Sequence, residues 1–205
     1  MSQTAKYSMG FTSACLLQQE SMLLVKAYDS LRDWKQVREQ ALSENLLQCR
    51  TEVTAKRLVG ELIKRLKCLD DSELEFLMDA DSYEQVWMLW VAICRSYRFI
   101  HDFSVEVIRE KYLTLYTEVQ QSDYDTFFNQ KLDWHEELEK LSPSTQERLR
   151  QNLFKMLKEV GILSSDNNIC PSLLSSSFVR TLYRSSSKDL SLFPISDSQL
   201  KVHIS

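Results

Sequence analysis

Apolar positions along the chain recur every three or four residues, the period of helices with one buried side. Leu16, Leu17, Met22 or Leu23, and Ala27 form the first such stripe, in a helix capped by Ser13 and running to about Asp29. Asp33 opens a helix over Trp34–Ala41, Ser43 a short one over Glu44–Cys49, and Thr51 a long one reaching Leu69. Asp71 or Ser72 caps a short acidic helix, and Ser82 caps the most apolar segment, Tyr83 to about Phe99. Each of these residues carries a side-chain oxygen that can accept from the first unpaired amides of a helix. Further helices are predicted over Ser104–Tyr116, Ser122–Leu132, His135–Leu141, Ser144–Val160 and Leu174–Arg184, with Gly161 stopping the one before it. Asp166-Asn167-Asn168 is a turn signal compatible with a small C-terminal hairpin over Ser164–Cys170. The pattern predicts an all-α fold, one multi-helix domain over residues 1–205 with a weakly ordered tail over 185–205.

Two stretches, about 33–69 and 122–160, repeat the same rhythm of helix, short helix and longer helix. Tight turns followed by a long helix with a polar first turn are what a helix-turn-helix looks like. In the first long helix Leu58, Val59, Leu62, Ile63, Leu66 and Leu69 fall within an arc of roughly 140°, opposite Lys56, Arg57, Lys64 and Lys67. In the second, Leu149, Leu153, Phe154, Met156, Leu157 and Val160 oppose Arg148, Gln151, Lys155 and Lys158. Such a division lets apolar residues anchor the helix while cations and hydrogen-bonding groups enter a groove of DNA. The candidate DNA-binding residues are therefore Arg50, Thr51, Thr54, Lys56, Arg57 and Lys64 in the first stretch. In the second they are Ser144, Thr145, Gln146, Arg148, Gln151 and Lys155. The same division also marks any solvated surface helix.

Composition narrows the function. Three Gly and three Pro, against about 14 and 10 at average usage, leave neither a GxGxxG nor a P-loop to be written. A net charge of −4 does not advertise nucleic acid, but the signs are segregated. Residues 70–84 carry seven acids and no base, whereas residues 50–68 carry a balance of +4. The acidic run reads as a solvated surface or a docking patch for a basic partner. The five cysteines form no CxxC pair, and the longest apolar run falls well short of the roughly 20 residues of a membrane span. With no signal-peptide pattern, the expected location is cytoplasmic, without membrane association.

No catalytic constellation emerges, and no cofactor, metal or small-molecule substrate is expected. His101-Asp102 are neighbours whose side chains point apart on a helix, with no nucleophile attached. His135-Glu136-Glu137 lacks a second histidine one turn on and reads as a helix start. Trp87, Trp90, Tyr97 and Phe99, amid apolar neighbours, mark a central core helix rather than a base-stacking platform. Arg95, Arg98 and Arg109 either extend a basic surface or pair with Asp102, Glu106 and Glu110.

An ordered set of short stretches carries a family resemblance. They include Phe11-Thr12 with Leu16-Leu17 and Glu20, Glu44-Asn45-Leu46-Leu47-Gln48, Arg50-Thr51-Glu52 and Ala55-Lys56-Arg57-Leu58. Leu89 to Arg95, Tyr97 to Ile100, Glu110-Lys111, Phe127-Phe128, Trp134-His135, Leu141 to Thr145 and Met156 to Leu163 follow in order. In these the chain resembles the BrxA family, core components of BREX bacteriophage-exclusion systems. Ser13-Ala14-Cys15 departs from the glycine-rich step found there in the family. The resemblance implies a NusB-like helical domain with helix-turn-helix elements that binds double-stranded DNA without being an enzyme, beside other BREX proteins. The alternative is a scaffold within the defence complex with little or no DNA binding.

Overall fold

The computed structural model describes residues 6–11, 15–196 and 198–200, and all regular structure among them is helical. The chain divides into two compact units. The first is Leu17–Ser96; the second joins Met1–Leu16 to Tyr97–Ser205.

The first unit holds α1 (Gln18–Leu31), α2 (Trp34–Ser43), α3 (Glu52–Leu66), α4 (Asp71–Asp79) and α5 (Ser82–Ser96). Ser13, expected to cap α1, lies outside the described residues; α1 starts after Leu17, whose backbone is left-handed and whose side chain makes no cap. The caps of α2 and α3 are the expected Asp33 and Thr51. For α4 the cap is Asp70, one residue earlier than expected, in a reciprocal box with Glu73. For α5 it is Asp81 rather than Ser82, its Oδ1 accepting from the amides of Tyr83 and Glu84.

The short helix expected over Glu44–Cys49 is absent. Asn45 and Gln48 take positive φ there, and the Asn45 amide bridges both backbone groups of Cys49, at 2.9 and 3.1 Å. An asparagine side chain that offers the backbone such partners competes with helix. Along α5 Met88 to Cys94 are buried without a break, so it forms the centre of this unit.

α5 stops at Ser96, short of the predicted Phe99, because Tyr97 turns to an extended conformation. Its fully buried ring meets Phe11 edge-on at 5.5 Å in the second unit. From there α6 (Arg98–Phe103), a π-helical turn (Ser104–Arg109) and α7 (Glu110–Leu113) run without interruption. The widened turn begins where Ser104 Oγ donates to the Ile100 carbonyl at 2.8 Å, a bond that competes with the helix ladder. Next come α8 (Gln121–Leu132), α9 (Glu136–Glu139), α10 (Pro143–Glu159) and α11 (Ser176–Ser186). Phe99 is the hub of this core, within 6.1 Å of the rings of Tyr7, Phe11, Tyr124, Phe127 and Phe128.

The turn at 166–168 is present, with two isolated antiparallel bridges, Leu163 to Ile169 and Glu118 to Asn168, in place of a hairpin. The tail differs from expectation. A 3-10 helix spans Ser187–Leu192, and Leu190, Leu192, Phe193 and Ile195 are buried, Phe193 edge-on to Phe178 at 5.6 Å. Residues 197 and 201–205 lie outside the described set.

Candidate nucleic-acid interface

Of the predicted arc α3 buries Val59, Leu62, Ile63 and Leu66, with Leu69 buried just past its end. Leu58 is only half-buried, Ala55 is buried in addition, and Lys56, Arg57, Lys64 and Lys67 turn outward. One cation of the 50–68 window is lost to the interior. Arg65 is 3% exposed, its Nε 2.6 Å from Glu61 one turn earlier. Its long stem reaches past the apolar edge of the helix, which a wheel that sorts by charge cannot show. Thr51 and Thr54 are occupied by the cap: Thr51 Oγ1 accepts from the Thr54 amide and donates to the Thr54 hydroxyl. Lys56 pairs with Glu52 and holds that carboxyl below its usual range by hydrogen bond and charge. Arg50 is exposed and makes no ion pair among the described residues.

A further cation reaches this face from α2. Gly60 lies in the middle of α3, and a methyl group built there would sit 3.5 Å from Arg38 Nη1. The Arg38 guanidinium thus lies over the Gly60 turn of α3. Arg38 was not among the sequence candidates, because it belongs to a different helix and only the packing of α2 on α3 brings it here. Since 3.5 Å is ordinary van der Waals contact, Gly60→Ala should fit and stiffen the unfolded chain's loosest point in α3. It is expected to raise stability by about 0.5–1 kcal/mol, read from the urea midpoint.

On α10, Ser142 is the cap and Pro143 occupies the first turn, so Ser144 and Thr145 stand one residue further inside than predicted. Ser144, Arg148, Gln151 and Lys155 form one exposed row, repeating at the three- and four-residue spacing of a single helix face. Gln146 turns away from that row, its Nε2 donating to the Leu141 carbonyl at 3.1 Å. Gln151 donates to Glu147 at 3.2 Å. Lys155 lies 3.0 Å from Cys15 Sγ and 3.8 Å from Glu159, contacts that raise its pKa, the cysteine most. Arg148 is exposed and unpaired among the described residues. Arg150, which the wheel left aside, binds both oxygens of Asp125 on α8 through Nη1, at 2.9 and 2.8 Å.

Contacts elsewhere correct three sequence expectations. His101 and Asp102 do not point apart: Nδ1 lies 3.0 Å from Oδ1, while Tyr7 donates to Oδ2 at 2.8 Å. Burial raises the Asp102 pKa, but hydrogen bonds from His101 and Tyr7 and the charge of Arg98 outweigh it and hold the carboxyl low. The cluster ties the N-terminal segment to α6. Of the three arginines expected to pair with Asp102, Glu106 or Glu110, Arg98 does approach Asp102, at 3.5 Å, whereas Arg95 grips the fully buried Glu73 with two bonds of 2.6 and 2.7 Å. Glu73 thereby stands apart from the acidic run, whose members Asp70, Asp71, Glu75, Asp79 and Asp81 are exposed. His135, the cap residue of α9, is buried and stacked on Tyr7 at 3.8 Å. Among the described residues no helix is long and apolar enough to cross a membrane, and no three His, Cys, Asp or Glu side chains converge as metal ligands.

The family model named BrxA matches residues 5–186. A "BREX protein BrxA" of Bacillus cereus (strain H3081.97) is 28% identical over 145 residues, covering 71% of this chain and 70% of that protein. Another, of Escherichia coli O9:H4 (strain HS), is 25% identical over 150 residues, covering 73% and 70%. The crystal structure of an uncharacterized protein from Magnetospirillum magneticum shares the fold, with a TM-score of 0.78 at 16% identity over 93% of this chain and 98% of that one. With a match that spans nearly all of its helices, this chain belongs to the BrxA family.

Proposed function

We propose that this protein is a non-enzymatic component of a BREX phage-defence system and binds double-stranded DNA, mainly through phosphate contacts from α3 and α10. The outward face of α3 carries the reading. Arg57, Lys64 and Lys67 stand there on the side opposite the core, and Arg38 joins them across Gly60. A helix seated by its apolar side and presenting cations, with Arg50, Thr51 and Thr54 at its first turn, has the division a major-groove helix needs. α10 repeats that division with a weaker charge, since Arg150 and Lys155 are already engaged by acids.

Charge reversal tests the proposal. Arg57→Glu and Arg148→Glu are surface changes that cost within about 0.5 kcal/mol of stability, and each removes one phosphate neighbour while adding a repulsive charge. Both should weaken duplex binding in a gel-shift titration, Arg57→Glu more than Arg148→Glu. Glu75→Lys, in the acidic run, should leave affinity unchanged or slightly raised. Parental binding by both reversals, with circular dichroism unchanged, would remove α3 and α10 from the interface.

A scaffold role has one observation in its favour. A groove of about 540 Å³ between α1 and the α4–α5 corner is lined by Met22, Leu23 and Met78 together with Lys26 and the amides of Gln18 and Gln85. If duplex binding is undetectable at low salt, that role takes its place.

A further inference from the structure

One residue on the polar face of α3 does not fit a surface made only for phosphates. Val53 is 79% exposed, in the first turn of the helix. It lies nine residues before the fully buried Leu62, about two and a half turns, so the two side chains leave the helix on opposite sides. Val53 therefore occupies the middle of the outward face. Arg57 follows it one turn on, Gly60 with the Arg38 guanidinium two turns on, and Lys64 three turns on. Arg50 and Thr54 flank it. A β-branched residue is a weak helix former, and here it buries nothing in return. The outward row of α10 has no counterpart: Ser144, Arg148, Gln151 and Lys155 are all polar, and no large apolar side chain of α10 is exposed.

We infer that Val53 is a specificity-determining contact for the C5-methyl group of a pyrimidine, thymine or 5-methylcytosine, in the major groove of duplex DNA. The inference rests on the duplex-binding reading of α3. The major groove displays that methyl group as its apolar feature, and a small aliphatic side chain at the leading turn of a groove-lying helix is the group that covers it. The cations around Val53 hold the helix on the phosphates without reading sequence. Val53 supplies what they lack, a surface that gains by excluding water from a methyl group and gains nothing where the methyl group is missing.

The test needs no known binding site. One duplex is amplified with dTTP or with dUTP, so that the two products differ only in the thymine methyl groups. A third product carries 5-methylcytosine in place of cytosine in the uracil background. The parent protein should bind the thymine product about fourfold more tightly than the uracil product, the worth of burying one methyl-sized group. Methylated cytosine should restore part of the difference. Val53→Ser should bind the thymine product as weakly as the parent binds the uracil product, with unchanged salt dependence, and Val53→Ile should keep the preference. Circular dichroism of both variants should match the parent, because the side chain packs against nothing. Equal binding of the thymine and uracil products by the parent overturns the inference and leaves the duplex reading standing. So does a preference that survives in Val53→Ser. No binding to any product at low salt overturns both together.

Discussion

Arg95→Ala is expected to lower the unfolding free energy by about 3–5 kcal/mol, the cost of leaving a buried charge without its partner. Glu73 has no exposed surface, and Arg95 meets both of its carboxylate oxygens. The same guanidinium donates to the Cys68 carbonyl at 2.9 Å, just past the end of α3, while Glu73 accepts from the Asp70 amide at the start of α4. One pair thus joins the end of α3, the start of α4 and the last turn of α5. Its removal should lower the urea midpoint, followed by circular dichroism, with little relief from added salt, because a buried pair is screened far less than an exposed one. A loss below 1 kcal/mol would mean that water reaches Glu73 in solution.

Duplex affinity should respond to salt in the opposite way. If four to six phosphates are neutralised by Arg38, Arg50, Arg57, Lys64, Lys67 and their neighbours, affinity should fall by about 10² to 10³ between 50 and 200 mM salt. Each cation removed should flatten the logarithmic slope by about 0.9. Arg57→Glu is therefore expected to show a shallower slope as well as weaker binding, read by fluorescence anisotropy at four salt concentrations. A flat dependence in the parent would exclude phosphates as the main ligand.

The apolar period made most helices legible, because core positions must face inward whatever else a helix does. Most of the arc on α3 stands as read, Leu58 excepted, and so does the buried run on α5 as far as Cys94. What the period could not show were interactions that cross between elements or replace the backbone ladder. Asn45 takes the place of a helical turn through its own side chain, and Tyr97 breaks α5 so that its ring can reach Phe11. The candidate interface was legible as a charge pattern, but charge alone did not distinguish Arg57 from Arg65, which is buried on Glu61. Arg38 needed the packing of α2 on α3 to appear at all. Val53 was present in the first turn throughout, and only its exposure singles it out.

The path of the chain through the two units sets an order of events at synthesis. Tyr7 and Phe11 emerge early, yet their partners come late: the Tyr7 amide bonds Glu137, 130 residues on, and the Phe11 carbonyl accepts from Asn152, 141 residues on. Leu17–Ser96 contains all of its own helices and can close as soon as α5 has left the ribosome. The segment that holds Tyr7 and Phe11 must wait through that event until Tyr97 and Phe99 emerge to take its rings, and until α9 and α10 exist to complete its hydrogen bonds. A nascent chain is therefore most vulnerable to proteases and to wrong apolar partners during the interval between residues 96 and 152. Slow decoding within it lengthens the exposure, and a holdase that covers the segment around Tyr7 and Phe11 shortens the risk.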